Sequence, residues 1–189
     1  MSDKFQEYYR IPSNRLQNWD YGSLGKYFIT ICTKHRECSL GKIENNTFIS
    51  SSEGNIVANI WHKIPEKFPF ADIDEFIVMP NHIHGIIQIK CRSVATENVF
   101  VETPIHRVSD NGKRGGITGN TNPMLYQNLS RIIRWFKGSI TFEIHKFNCD
   151  FAWQSRFHDH IIRNESEYYR IRNYIKENVK NWKADEHNK

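Results

Sequence analysis

The segment that most constrains the fold is 74–90, DEFIVMPNHIHGIIQIK, in which two short apolar runs flank a Met-Pro-Asn turn. This pattern predicts two strands joined by a turn. Successive side chains of a strand point to opposite faces, so His82 and His84 share one face while Ile83 points to the other. Because the second strand carries isoleucines on both faces, we expect it to lie inside a sheet.

The paired histidines predict a metal site. Neutral imidazole is a common ligand for divalent metals, and two imidazoles on one face of a strand can reach the same ion. A His-x-His pair also arises by chance, so the spacing alone is weak. Two histidines without a partner would, however, be costly in a buried strand. We therefore expect His82 and His84 to bind one divalent ion.

Length and composition predict a single intracellular domain. The chain has 189 residues, which suits one well-buried domain better than two, and 39% of them are hydrophobic. No run reaches the roughly 20 apolar residues of a membrane span. The first residues, MSDKFQEYYR, lack the apolar middle of a secretory signal. We expect a soluble, cytoplasmic protein without a membrane partner.

Charge favours a polyanionic partner. The formal net charge is +5 and the pI is near 9.0, as in many proteins that bind nucleic acid.

The cysteines form no Cys-x-x-Cys pair, so neither a disulfide framework nor a thiolate zinc site is predicted. They are scattered along the chain as Cys32, Cys38, Cys91 and Cys149.

The remaining periodicity predicts a mixture of strands and helices. A strand is expected over 26–33, a hairpin over 40–50 and an amphipathic helix from Ser52 to about Lys63. A long helix is expected over 124–147, and a last helix from the N-cap Asn164 through Trp182. Residues 91–123 are polar and rich in glycine, without a sustained apolar period, so we expect a flexible insertion there within one domain spanning 1–189.

Basic and polar side chains in three places are candidate DNA contacts. A solvated arm, a solvated helix face and a purely structural role for the histidines are the alternatives. The candidates are Arg10 and Arg15 in the N-terminal arm, Arg131, Arg134 and Lys137 on the polar face of the long helix, and His158 and His160 in FAWQSRFHDHIIRN.

The last helix carries two further candidate site residues. Tyr174 and Asn178 are four residues apart and therefore lie on one face, one turn from each other. This spacing would let the amide oxygen of Asn178 act as a third metal ligand while the phenol of Tyr174 faces whatever the metal binds. For a tyrosine taken alone, packing in the core is the commoner outcome.

Four features in this order resemble the single-tyrosine HUH transposases, in particular the REP-associated tyrosine transposases: VMPNHIHGII, a long helix, WQSRFHDHIIRN and NYIKEN. The resemblance covers about 10–182. It implies an α+β fold, a ferredoxin-like antiparallel sheet with helices packed on one face and the HUH motif on a central strand. It also implies that His82 and His84 bind Mg²⁺ or Mn²⁺, with Asn178 as third ligand and Tyr174 as nucleophile. Many relatives have Asn-Pro where this chain has Asn178-Val179, so here the helix is expected to continue past Asn178.

The implied activity is metal-dependent cutting and joining of single-stranded DNA. Tyr174 would attack a phosphodiester, giving a 5′-phosphotyrosine link and a free 3′-hydroxyl. A phenol with a pKa of about 10 is a poor nucleophile at neutral pH, and a bound metal would help by polarising and aligning the phosphate. The implied partner is single-stranded or hairpin DNA. A homodimer is also considered, because in related transposases the tyrosine and the histidines can come from different subunits.

Two other functions stay open. A histidine-triad-like nucleotide hydrolase would need a third alternating histidine, but Ile86 stands in that place. A non-catalytic nucleic-acid-binding or regulatory protein of the same fold would have the same sequence pattern.

Overall fold

The computed structural model describes residues 21–90 and 128–185, together with the backbone of two short paired strands, β1 (Lys4–Phe5) and β2 (Tyr8–Tyr9). The candidate DNA contacts Arg10 and Arg15 lie outside the described residues, as does the insertion predicted at 91–123. That insertion and the single-domain organisation of the whole chain stay predictions.

The centre of the fold is a four-stranded antiparallel sheet in the order β6-β7-β3-β8. Its strands are β3 (Gly25–Cys32), β6 (Ala71–Val78), β7 (His82–Ile89) and β8 (His158–Ile162). A hairpin of β4 (Gly41–Glu44) and β5 (Thr47–Ser50) precedes α1 (Ser52–His62) and α2 (Ile64–Lys67), and the later helices are α3 (Leu129–Ile144) and α4 (Glu165–Glu177). The predicted α+β class is confirmed, with the histidine pair on the interior strand β7. None of the helices in the described ranges is long and apolar enough to cross a membrane.

One face of the sheet forms the main core with α1 and α3. Alternate residues of β3 and β7, such as Ile29 and Ile83, are fully buried there against both helices. The indole of Trp61 stacks on Phe76 with ring centroids 4.4 Å apart. A Cβ added at Gly85 would lie 2.5 Å from the indole, so β7 accepts this ring only because it lacks a side chain there.

Helix α4 packs on the opposite face. Its buried residues Ile171 and Ile175 form a second apolar cluster that includes Ile86 of β7 and Phe28 of β3. The sequence prediction had all helices on one face, and α4 departs from it. The physical reason is that the interior strands are apolar on both faces, so each face needs a cover. As a result, α4 lies on the face that carries His82 and His84.

Local signals fix the helix starts, whereas α4 ends earlier than predicted. Asn164 accepts a hydrogen bond from the N–H of Glu167 at 2.8 Å, which confirms the predicted N-cap. The prediction that this helix continues past Asn178 is wrong, since it ends at Glu177. The N–H of Asn181 bonds to the carbonyls of both Glu177 and Asn178 at 3.1 Å. The second bond spans only three residues, as in a 3₁₀ turn, and the regular helix ends there.

Candidate metal and tyrosine site

The two histidines of the sequence motif lie side by side inside the sheet. His82 and His84 are 0% and 1% exposed. Their Nε2 atoms are 3.0 Å apart. Two ligands of one ion at metal–nitrogen distances of about 2.1 Å are separated by about 3 Å when they are at right angles, so this spacing fits a shared ion.

Both imidazoles are oriented through their other nitrogen. Nδ1 of His82 lies 2.8 Å from Oδ1 of Asn81, an oxygen that can only accept, so this Nδ1 donates and Nε2 is the nitrogen that could bind a metal. The Asn81 amide is itself held, because its Nδ2 donates to the Arg36 carbonyl at 3.2 Å. Nδ1 of His84 lies 2.8 Å from the Thr30 hydroxyl on the neighbouring strand. The ring planes are therefore set before any ligand binds.

The structure brings Tyr174 to this pair. The phenol oxygen lies 3.2 Å from Nε2 of His84. Its ring meets the imidazole of His84 at a centroid distance of 5.2 Å and the edge of Phe28 at 6.1 Å. The residue is nevertheless 43% exposed, unlike the buried histidines. The Tyr174 side chain is therefore partly open to solvent beside the buried imidazoles.

Two further side chains offer oxygen atoms. Oδ1 of Asn178 is buried, and among the described residues it has no hydrogen-bond partner. Oδ2 of Asp185 lies 4.0 Å from Nε2 of His82. Ligand atoms of His82, His84 and Asp185 all fall within 4.8 Å of one another. Two imidazole nitrogens with a carboxylate oxygen can hold a divalent ion such as Mn²⁺ or Zn²⁺, so these three residues fit a metal.

Sequence reasoning missed Asp185. No periodicity marks the residue, which follows a 3₁₀ turn, Trp182–Ala184, rather than lying on a strand or helix. The sequence predicts that the last helix runs through Trp182, but this residue follows the helix, and its indole stacks beside His82 with ring centroids 6.0 Å apart. After the early end of α4, Trp182 and Asp185 thus lie next to His82. An acidic residue shortly after the Tyr174 helix was the only available signal.

An ionic clamp holds α4 on the edge strand β6. The Tyr168 hydroxyl donates to a carboxylate oxygen of Asp74, and this bond raises the pKa of the phenol. Nε of Arg172 lies 3.4 Å from Asp74, and its Nη2 lies 3.3 Å from Glu75. The pairing register of β6 shifts between Ile73 and Phe76, at the position of the two acids. The clamp fixes the part of α4 that precedes Tyr174.

The basic residues of α3 lie on the other side of the sheet. Because α3 packs in the main core, Arg131 and Arg134 are on the face of the sheet opposite the imidazoles. Lys137 donates to the carbonyls of Gln154 at 2.5 Å and Ser155 at 3.4 Å. Burial lowers the pKa of its ammonium. Its present contacts anchor the segment before β8, and a DNA contact by these three residues stays a prediction.

The two histidines of β8 lie on the same face as the candidate site. His158 is the register partner of Thr30, which in turn is the partner of His84. Cross-strand partners share a face, so His158 lies on the same face of the sheet as His84, two strands away. His160 instead contacts Glu167 of the α4 cap, with Nε2 2.7 Å from Oε1. This contact gives His160 a structural role, and DNA binding by either residue stays a prediction.

Comparisons with known proteins find a relative by sequence and several structural neighbours. An uncharacterized protein of Haemophilus influenzae is 36% identical over 175 residues, covering 92% of this chain and 91% of that protein. The structure of a REP-associated tyrosine transposase bound to a REP hairpin has a TM-score of 0.54 at 20% identity, covering 92% of this chain and 74% of that chain. A putative transposase of Deinococcus radiodurans has a TM-score of 0.44 at 13% identity, over 87% of this chain and 96% of that one. No family model matches the sequence. The first structural neighbour establishes the fold.

Proposed function

The chain belongs to the same family as the uncharacterized Haemophilus influenzae protein, and we propose that it is a metal-dependent single-stranded DNA endonuclease and strand transferase, a tyrosine transposase. The observation that carries this proposal is the 3.2 Å separation between the Tyr174 phenol and Nε2 of His84, beside a second buried imidazole. A solvent-accessible phenol at a candidate metal site is the arrangement expected of a nucleophile.

The proposed step is a transesterification. The Tyr174 oxygen attacks the phosphorus of a DNA phosphodiester and gives its proton to solvent. The bond from phosphorus to the 3′ oxygen breaks, and that oxygen takes up a proton from solvent and leaves as a 3′-hydroxyl. One phosphoester bond replaces another, so the DNA remains attached through a 5′-phosphotyrosine and rejoining is feasible without a nucleotide cofactor. Helix α4 brings the phenol next to the proposed metal site, since the Tyr174 oxygen lies 3.2 Å from Nε2 of His84.

His82 and His84 would hold the ion, with Asn178 and Asp185 as oxygen donors. A bound divalent ion supplies Lewis-acid polarisation of the scissile phosphate. Oδ1 of Asn178 is buried and has no hydrogen-bond partner within residues 21–90 and 128–185, which supports its part in this set, because an unsatisfied buried carbonyl costs about 1–3 kcal/mol unless a ligand compensates it. Asp185 contributes a negative charge, which balances part of the charge of the ion.

The proposed substrate is single-stranded DNA next to a hairpin. The net charge of +5 favours a polyanion, and the structural neighbour with the same fold is a transposase bound to a REP hairpin. The exposed phenol can be reached by an unpaired strand, whose phosphates are accessible from several directions.

The proposal is tested by incubating the purified full chain with labelled hairpin oligonucleotides and Mn²⁺, followed by denaturing gel electrophoresis. A covalent protein–DNA band together with a shortened strand is the expected result. Binding without either product would point to a non-catalytic regulatory protein. Release of mononucleotides would point to a histidine-triad-like hydrolase, for which the buried Ile86 at the third position is already unfavourable.

A further inference from the structure

We propose that a cavity beside the candidate metal site is a binding subsite for one unpaired nucleotide adjoining the scissile phosphate. This inference rests on the proposed function, since it assumes a DNA substrate. The cavity has a volume of about 290 Å³ and lies between the β4–β5 hairpin turn and the residues that follow α4. Small-molecule sites begin at about 300 Å³, so the cavity suits a single nucleotide and is too small for a duplex.

The cavity adjoins the site at Trp182. This indole lines the cavity and also stacks beside the imidazole of His82, with ring centroids 6.0 Å apart and planes inclined by 30°. A nucleotide next to the phosphate attacked by Tyr174 would therefore be within reach of the cavity without a rearrangement of the sheet.

The side chains that line the cavity can bind a nucleotide base. Trp182 supplies an aromatic ring, and Ile43 and Val179 supply apolar surface. Stacking on an aromatic side chain is the usual way in which proteins bind unpaired bases, and it tolerates any base. Asn45 and Asn46 add amide groups that can bond to a base edge. Both adopt left-handed backbone angles, φ 50° and 59°, which Asn tolerates in a two-residue hairpin turn.

Two lysines supply positive charge for the backbone phosphate. Lys180 and Lys183 both line the cavity and are exposed. Lys180 pairs with Glu177 at 3.0 Å, but both side chains are more than half exposed, at 66% and 52%. Such a surface pair contributes little to stability, so a phosphate can compete with it for the ammonium group.

The test measures how much an unpaired extension strengthens hairpin binding. Fluorescence anisotropy gives Kd for a hairpin alone, for the hairpin with a 5′ extension and for the hairpin with a 3′ extension, in a Tyr174→Phe background that leaves the DNA intact. Lys180→Glu/Lys183→Glu is compared with Lys42→Glu/Lys146→Glu. The control has the same charge change on lysines outside the cavity that also pair with nearby acids, at 2.8 Å and 2.6 Å.

We expect one of the two extensions to lower Kd relative to the bare hairpin. The ratio of the two Kd values should be about tenfold smaller in the cavity double variant than in the control. Both variants should bind the bare hairpin equally. Asn45→Gly/Asn46→Gly keeps the turn and should also reduce the gain, which protects the test against a folding defect of the charge variant. An extension effect that is equal in the cavity and control variants, or no effect of either extension, would overturn the subsite.

The subsite and the proposed function fail in different ways. A wild-type covalent adduct with an unchanged extension effect in the cavity variants would leave the enzyme and remove the subsite. A loss of the extension effect without any adduct on any oligonucleotide would leave a DNA-binding subsite and remove the enzyme.

Discussion

The phenol oxygen of Tyr174 lies 3.2 Å from Nε2 of His84, although the two residues are 90 positions apart in the sequence. The contact forms within one chain, because α4 covers the imidazole face of the sheet through Ile171 and Ile175. Ion pairs from Arg172 to Asp74 and Glu75 hold the same helix on the edge strand. One subunit therefore contains all the proposed chemical groups, and the homodimer stays a prediction.

Tyr174→Phe is expected to abolish covalent adduct formation while leaving DNA binding unchanged, because only the nucleophilic oxygen is removed. Adduct yield on a denaturing gel and Kd by anisotropy measure the two effects. Tyr169→Phe is the control, since Tyr169 is another exposed tyrosine of α4, at 56%. A normal adduct yield from Tyr174→Phe would contradict the proposed role.

His82→Ala is expected to remove metal-dependent nicking and to weaken Mn²⁺ binding by more than tenfold, because one of two imidazole ligands is lost. Isothermal titration with Mn²⁺ measures the affinity, and EDTA should stop nicking by the wild type. His62→Ala, on the exposed surface of α1, should behave as the wild type. Nicking that survives both EDTA and His82→Ala would rule out the metal site.

Asn178→Ala and Asp185→Ala are each expected to reduce the increase in Tm that Mn²⁺ produces, because a ligand that binds only the folded state stabilises it according to its affinity. When metal is absent, Asn178→Ala should lower Tm less than Asp185→Ala does, since Oδ1 of Asn178 has no hydrogen bond within the described part of the chain. Differential scanning fluorimetry with and without Mn²⁺ separates the two effects. A full metal response in either variant would exclude that residue as a ligand.

Gly85→Ala is expected to destabilise the fold by about 1–3 kcal/mol, because the new methyl group would overlap the buried indole of Trp61. Gly138→Ala is the matched control in α3. No atom of the described residues lies within 4 Å of a Cβ there, so alanine should stabilise the helix by about 0.5–1 kcal/mol. Urea unfolding measures both changes. Equal free energies of unfolding for the two variants would refute the packing argument.

The stabilisation by Glu167 is expected to depend on pH. Hydrogen bonds from the Arg163 N–H and the His160 imidazole lower the pKa of this carboxyl in the folded chain below its ordinary value of about 4.5. A lowered folded-state pKa means that the carboxylate stabilises the fold above about pH 4.5, and that this contribution is lost as the pH falls through the folded value. Glu167→Gln should therefore lower Tm at pH 7, and the difference should shrink in more acidic solution.

The control for this pH dependence is Glu143→Gln, which removes an exposed pair with Lys146 and should change Tm little at either pH. A Glu167→Gln difference that stays constant down to pH 3 would show that the carboxylate charge is not involved.

The local parts of this protein could be predicted from its sequence. The shared face of His82 and His84 follows from the two-residue repeat of a strand, and the N-cap at Asn164 follows from a side chain that bonds to its own backbone neighbours. Both depend on residues close in sequence, so their patterns are visible before any tertiary contact forms. The spacing of Tyr174 and Asn178 on one helix face has the same origin.

Only the tertiary structure decided which groups meet. It put α4 on the imidazole face, moved α3 with Arg131 and Arg134 to the other face, and returned Asp185 and Trp182 to His82 after an early helix end. These outcomes depend on which apolar face each element covers and on how a short turn closes. Such choices are settled by burial summed over many distant residues, and no local repeat in the sequence records them.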